Sequence, residues 1–142
     1  MKHKKTVLVC VTAQESSKNL VKAGKAIAAK NEAELEIVSV LPIEQGKNKI
    51  EPQVVEKLYQ TAKNEGGEMA LYFSDEPILT LSAHIAKRKP LTIVTGFPGE
   101  NSNDFINTIH LLLPKLSISM VDKQGMIYNI LPYESAKSTA VK

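Results

Sequence analysis

Short apolar runs alternate with longer stretches of helical periodicity along most of the chain. Val7–Val11 is a continuous apolar run of strand length, the pattern of a strand covered on both faces. Ser16 or Ser17 can cap a helix in which Leu20, Ala23, Gly24, Ile27 and Ala28 recur at helical spacing. Leu35–Val40 reads as a second strand closed by Leu41-Pro42, and the polar loop Glu44–Lys49 leads to a helix from about Glu51. Pro52 suits the first turn of that helix, Val55, Leu58, Tyr59 and Ala62 form its buried stripe, and Asn64–Gly67 stops it. Met69–Phe73 is the third strand. Ser74-Asp75 is expected to cap the next helix, with Pro77 in the first turn and Ile78, Leu81, Ile85 and Ala86 facing inward. Lys87, Arg88 and Lys89 complement its C-terminal dipole, and Pro90 ends it.

The second half repeats the scheme. Thr92–Thr95 is the fourth strand, Phe105–Leu113 the fourth helix and Leu116–Val121 the fifth strand. Asp122–Gly125 reads as a hairpin turn with glycine in the left-handed position, returning Met126–Ile130 as an antiparallel strand. Strict alternation of strand and helix predicts an α/β fold, a three-layer α/β/α sandwich around a parallel sheet of five strands plus one C-terminal antiparallel hairpin strand. The pattern predicts a single domain over residues 1–132 and a loose polar tail over 133–142.

Such sheets take ligands beyond the carboxyl ends of their strands, where strand order reverses. With the first and fourth strands at the centre, the loops Thr12–Ser16 and Gly96–Asn101 are expected to face each other. The stretch Leu91–Gly99 is the chain's most suggestive site: a buried strand runs into Gly96-Phe97-Pro98-Gly99, and Glu100–Asp104 then opens a helix. A strand, a Gly-x-x-Gly turn and a helix N-terminus suit a phosphate, because glycine admits close backbone approach and free N–H groups favour an anion.

Composition narrows the classes. A 43% hydrophobic and 23% charged chain belongs with globular proteins, and no apolar run has the ~18 residues of a membrane span. The basic start, Met1–Lys5, is followed by an apolar stretch too short for a signal-peptide core, so the expected location is cytoplasmic, with no membrane insertion. Net charge is +3, but five of the basic residues sit in the first five positions and the tail. The remainder is slightly acidic, so no nucleic-acid stripe is expected.

Cys10, the only cysteine, sits inside the first strand and reads as core. A phosphatase-type nucleophile would need an arginine six residues later, where Ser16 stands. His3, His84 and His110 have no partner at metal-ligand spacing and read as surface or boundary residues, with no metal site. Ser16 and Ser17 have no evident base, so no catalytic residue is assigned. In a receiver-like reading Asp75 and Thr95 would carry phosphorylation, but Thr12-Ala13 lacks the acid pair that magnesium needs.

The opening Val7-Leu-Val-Cys-Val-Thr12, the run Ser16-Ser-Lys-Asn-Leu-Val-Lys-Ala-Gly24, and the spacing of Glu34–Val40 and Ile85–Gly96 resemble universal stress proteins. They look especially like the stress-protein-like domain of bacterial potassium-sensing histidine kinases. The resemblance covers about residues 5 to 121 and implies sheet order 3-2-1-4-5. Members of that family that hold ATP share G-x-x-G-x9-G-[S/T] after the fourth strand and an acid just past the first. Here Gly96 and Gly99 supply the first pair, Ile109-His110 stands where Gly-Ser or Gly-Thr is shared, and Thr12-Ala13 replaces the acid. The resemblance implies a non-catalytic stress-response or signalling protein with a degenerate nucleotide pocket. The pocket residues it points to are Thr12, Ala13, Val40, Gly96, Gly99, Asn101 and Ser102. No cofactor is required, and ATP or another adenine nucleotide, or a signalling nucleotide such as a cyclic dinucleotide, is the ligand it allows. It also implies a homodimer paired through the fifth strand, with Leu116, Ile118, Met120 and Ile127 as contacts, unless the hairpin strand Met126–Ile130 covers that edge or extends the pairing itself. Two alternatives stay open: a nucleotide sensor, and an interaction protein whose pocket is vestigial.

Overall fold

The computed structural model describes residues 5–11, 17–41, 52–96, 103–122 and 124–130. Ten elements follow in strict alternation until the last: β1 (Thr6–Val11), α1 (Ser17–Lys30), β2 (Glu34–Leu41), α2 (Pro52–Asn64), β3 (Glu68–Phe73), α3 (Pro77–Arg88), β4 (Thr92–Gly96), α4 (Asn103–Leu112), β5 (Ile118–Val121) and β6 (Ile127–Ile130). The strands form one sheet in the order β3-β2-β1-β4-β5-β6. All neighbours are parallel except β5 and β6, which run antiparallel with Val121 opposite Ile127 and Ile118 opposite Ile130. The expected α/β class, strand order and hairpin strand are all present.

Period-two alternation along the central strands splits their side chains between two cores. Val7, Val9 and Val11 of β1 and Leu35 and Ile37 of β2 pack with Val21 and Ala28 of α1 and Leu58 and Ala62 of α2. Leu8, Cys10, Val38 and Ile93 face the other way, onto Leu81 and Ile85 of α3 and Ile106 and Ile109 of α4. The sheet is therefore sandwiched, which is why β1 reads as a continuous apolar run over Val7–Val11. At Gly24 helix α1 comes so close to β1 that a methyl group would collide with Val9.

Local differences from the sequence reading have local causes. Helix α3 begins at Pro77 with Glu76 in the cap position and no side-chain cap bond, rather than with Ser74-Asp75 capping it. Ser74 Oγ instead accepts the Glu76 N–H at 3.0 Å and the Thr80 hydroxyl at 2.7 Å, from a position N-terminal to the cap. At its other end Lys89 takes the left-handed conformation (φ 52°) and donates its N–H to the Ile85 carbonyl. Strand β5 starts at Ile118, because Leu116 still closes a turn onto the Leu113 carbonyl. The hairpin forms as expected: Gly125 has φ 88° and donates to the Asp122 carbonyl, while Asp122 Oδ1 accepts the Gln124 and Met126 N–H groups. The expected tail over 133–142 lies outside the described residues.

Candidate functional site

Strand order reverses between β1 and β4. The chain moves outward from β1 through β2 to β3, then crosses back to β4 and continues through β5. Helices α1 and α4, which follow β1 and β4 in the chain, pack on opposite faces of the sheet, the arrangement that in α/β sheets places a ligand crevice beyond the carboxyl ends of the two strands. Val11 and Gly96 are the last residues of the two strands. Val9 is opposite Val94 in the parallel register, so the two strand ends lie side by side.

Gly96 shares its face with Val94, toward α1, by strand alternation. Among the described residues a Cβ added there would meet only Leu20 Cδ1, at 3.8 Å, and no positive φ constrains the residue. Among the described residues nothing in the packing or backbone thus demands glycine. Val40, at the carboxyl end of β2, packs instead toward the α3/α4 face. A ligand touching both residues must cross the end of β1. The remaining sequence-derived pocket residues, Thr12, Ala13, Gly99, Asn101 and Ser102, lie outside the described residues. Beside this crevice Ser39 is buried opposite Val11, and its hydroxyl has no hydrogen-bond partner among the described residues. A serine inside the apolar run Ile37–Leu41 was the signal for it.

The residues expected at a dimer contact divide. Leu116 and Ile118 belong to the core over α4, with Ile118 fully buried, and β5 has β4 on one side and β6 on the other. Met120 is half-buried against the same core, and only Ile127 on the edge strand β6 is exposed. The hairpin strand occupies the edge through which fifth-strand pairing would run.

A polar network that the sequence reading missed crosses the α3 face. Glu36 of β2 is only 5% exposed, yet it is ionically paired: Arg88 donates Nε to Oε1 at 3.0 Å and Nη2 to Oε2 at 2.8 Å. His84, 7% exposed, places Nε2 at 3.3 Å from Glu36 Oε1 and Nδ1 at 2.7 Å from the Tyr72 hydroxyl. The Tyr72 and His84 rings meet edge to face, with centroids 5.4 Å apart. His84 is thus not the boundary residue its helical position suggested. A carboxylate held by arginine only accepts, so Nε2 carries the proton toward it and Nδ1 accepts from tyrosine. The bond to Glu36 raises the Arg88 pKa further above its already high value. The network ties α3 to β2 and β3 and is structural in character.

Arg88 and Glu36 also line a cleft of about 390 Å³ at the amino ends of the strands, with Lys25, Glu34 and Glu68, at the opposite end of the sheet from the Gly96 crevice. Among the described residues no three His, Cys, Asp or Glu side chains converge as metal ligands. Cys10 is buried in the core, and desolvation raises its thiol pKa from 9.0 to about 12, so it is held as the neutral thiol. No helix among the described residues is long and apolar enough to cross a membrane.

No protein-family model matches the sequence, and no curated protein sequence matches it. Solved structures do match in fold. A universal stress protein in complex with cAMP superposes with a TM-score of 0.59 at 15% identity, covering 84% of this chain and 98% of that one. The universal stress protein from Archaeoglobus fulgidus in complex with dAMP gives 0.51 at 14% identity, covering 86% and 98%. A deacetylase in complex with teicoplanin gives 0.60 at 11% identity, but that match spans 82% of this chain and only 69% of the deacetylase. Coverage separates the two kinds of neighbour, because the stress proteins are matched nearly end to end. The fold of this chain is that of the universal stress proteins.

Proposed function

We propose that the protein is a non-catalytic signalling or stress-response protein of the universal stress type, a single cytoplasmic domain over residues 1–132 that works as a homodimer and binds a small adenine nucleotide. The observation carrying this reading is the reversal of strand order between β1 and β4 with Gly96 at the end of β4, where nothing among the described residues requires glycine. Two solved structures of this fold hold cAMP and dAMP. The binding residues are Thr12, Ala13, Val40, Gly96, Gly99, Asn101 and Ser102. A nucleotide with one phosphate fits this set better than ATP. The Gly96/Gly99 pair is present, but Ile109-His110 offers no second glycine or neighbouring hydroxyl for a longer phosphate chain, and Glu100 and Asp104 add negative charge.

Thermal unfolding with cAMP, AMP, dAMP, cyclic dinucleotides and ATP tests it. A ligand at a hundred times its dissociation constant adds about 2.7 kcal/mol to stability. The expected result is a rise in melting temperature with a monophosphate that exceeds the rise with ATP. No shift with any nucleotide at millimolar concentration leaves the alternative, an interaction protein with a vestigial pocket. That alternative is favoured by one feature: both edges of the sheet carry exposed apolar side chains, Leu71 and Phe73 on β3 and Ile127 and Tyr128 on β6.

A further inference from the structure

Strand β3 is one edge of the sheet, and between Met69 and Phe73 it carries neither a charge nor a proline, the usual devices that keep an edge from pairing. Its alternate residues Met69, Leu71 and Phe73 share the face covered by α2, since they pair in register with Ile37, Ser39 and Leu41. Phe73 is 57% exposed there. At the amino end of the same strand, on the same face, a groove of about 300 Å³ runs between α2 and β3, lined by Tyr59, Ala62, Lys63, Gly67, Glu68 and Met69. The edge thus carries a protruding ring at one end and a recess at the other.

We infer that β3 pairs antiparallel with β3 of a second copy of this chain, centred on Leu71, so that Phe73 of each copy enters the groove of the other. In an antiparallel pair, directly opposite residues share a face. A two-fold axis at Leu71 sets Leu71 against itself, Ala70 against Tyr72, and Met69 against Phe73. The exposed ring of one copy therefore meets the residue that lines the recess of the other, twice, as an isologous contact requires. Charge agrees with this register. Glu68, the strand's one charged residue, falls opposite Ser74, so like charges do not face each other. The inference deepens the homodimer of the proposed function by assigning its contact to β3, away from the β5 edge that β6 occupies.

Light scattering on the eluting full-length chain reads the result, with circular dichroism on each variant to verify folding. The unaltered chain is expected to elute with the mass of two copies. Phe73→Lys and Leu71→Lys, both at exposed positions, are expected to halve that mass without changing the spectrum, whereas Ile127→Lys on β6 leaves it unchanged. Since the chain contains no tryptophan, Phe73→Trp adds a single reporter, whose emission is expected to shift to the blue as protein concentration rises. A two-copy mass that survives Phe73→Lys but is lost in Ile127→Lys overturns the β3 contact and keeps the dimer. A single-copy mass for the unaltered chain overturns both.

Discussion

Glu36 and Arg88 meet side-on, Nε to Oε1 and Nη2 to Oε2 at 3.0 and 2.8 Å, with the carboxylate buried and the guanidinium side chain 46% exposed. The two partners therefore stand in unequal positions. Arg88 can rehydrate if Glu36 is lost, but Glu36 keeps only His84 if Arg88 is lost.

Arg88→Met should accordingly destabilise more than Glu36→Gln. Breaking a fully buried pair from the arginine side costs ~3–5 kcal/mol, and the partial exposure of Arg88 lowers the expectation here to about 2 kcal/mol. Glu36→Gln keeps an oxygen that can accept from His84 Nε2 and leaves Arg88 reachable by water, so about 1 kcal/mol is expected. Urea unfolding of both variants measures the difference. Equal losses would show that the pair contributes through packing of the side-chain stems rather than through a buried charge.

The Tyr72 hydroxyl bond to His84 Nδ1 implies that Tyr72→Phe strips a buried ring nitrogen of its only donor. An unmade bond of this kind costs ~1–3 kcal/mol. The double variant Tyr72→Phe/His84→Phe, which removes both polar atoms, should recover part of that loss. Nitrogen chemical shifts of His84 in the unaltered protein should report Nε2 protonated and Nδ1 bare. The opposite tautomer would contradict the assignment.

Two glycines should respond differently to alanine. Gly24→Ala gains roughly 1 kcal/mol of helix propensity but drives a methyl group into Val9, an overpacking that costs ~1–3 kcal/mol. A net loss is expected on chemical denaturation. Gly96→Ala meets nothing among the described residues closer than Leu20 at 3.8 Å and should stay within about 0.5 kcal/mol of the unaltered chain. Gly96→Asp should also fold, while abolishing the nucleotide-dependent rise in melting temperature by placing a carboxylate in the crevice.

These contrasts mirror what could be read along the chain. Periodicity reveals β1, β2 and β4 because both faces of those strands are covered, and it reveals the hairpin because Asp122–Gly125 carries its turn chemistry locally. Gly96 was recognisable as a strand end opening a Gly-x-x-Gly turn. Glu36 was not recognisable as buried, since a polar residue between Leu35 and Ile37 looks like any solvent-facing position. Its partner Arg88 lies 52 residues away, in a helix end that reads as ordinary dipole compensation. Leu116 and Ile118 look like part of an alternating edge strand, but the burial of Ile118 against α3 and α4 depends on helices from other parts of the chain. Contacts between distant segments carried no local signal, whereas lengths, periods and turns did.

Cys10 supplies a prediction with a defined pH window. Its thiol pKa is raised from 9.0 to about 12 by burial, so between those values the folded protein holds a proton that the unfolded chain has released. A folded-state pKa above the unfolded one means that this contribution to stability is complete below pH 9 and declines as pH rises toward 12. Cys10→Ala removes this titration, so above pH 9 the variant should lose less stability with rising pH than the unaltered chain. The same burial should keep the native thiol unreactive toward a disulfide reagent at pH 8, with full reaction in urea. Rapid labelling of the folded chain would mean that β1 opens far more readily than its place in the middle of the sheet allows.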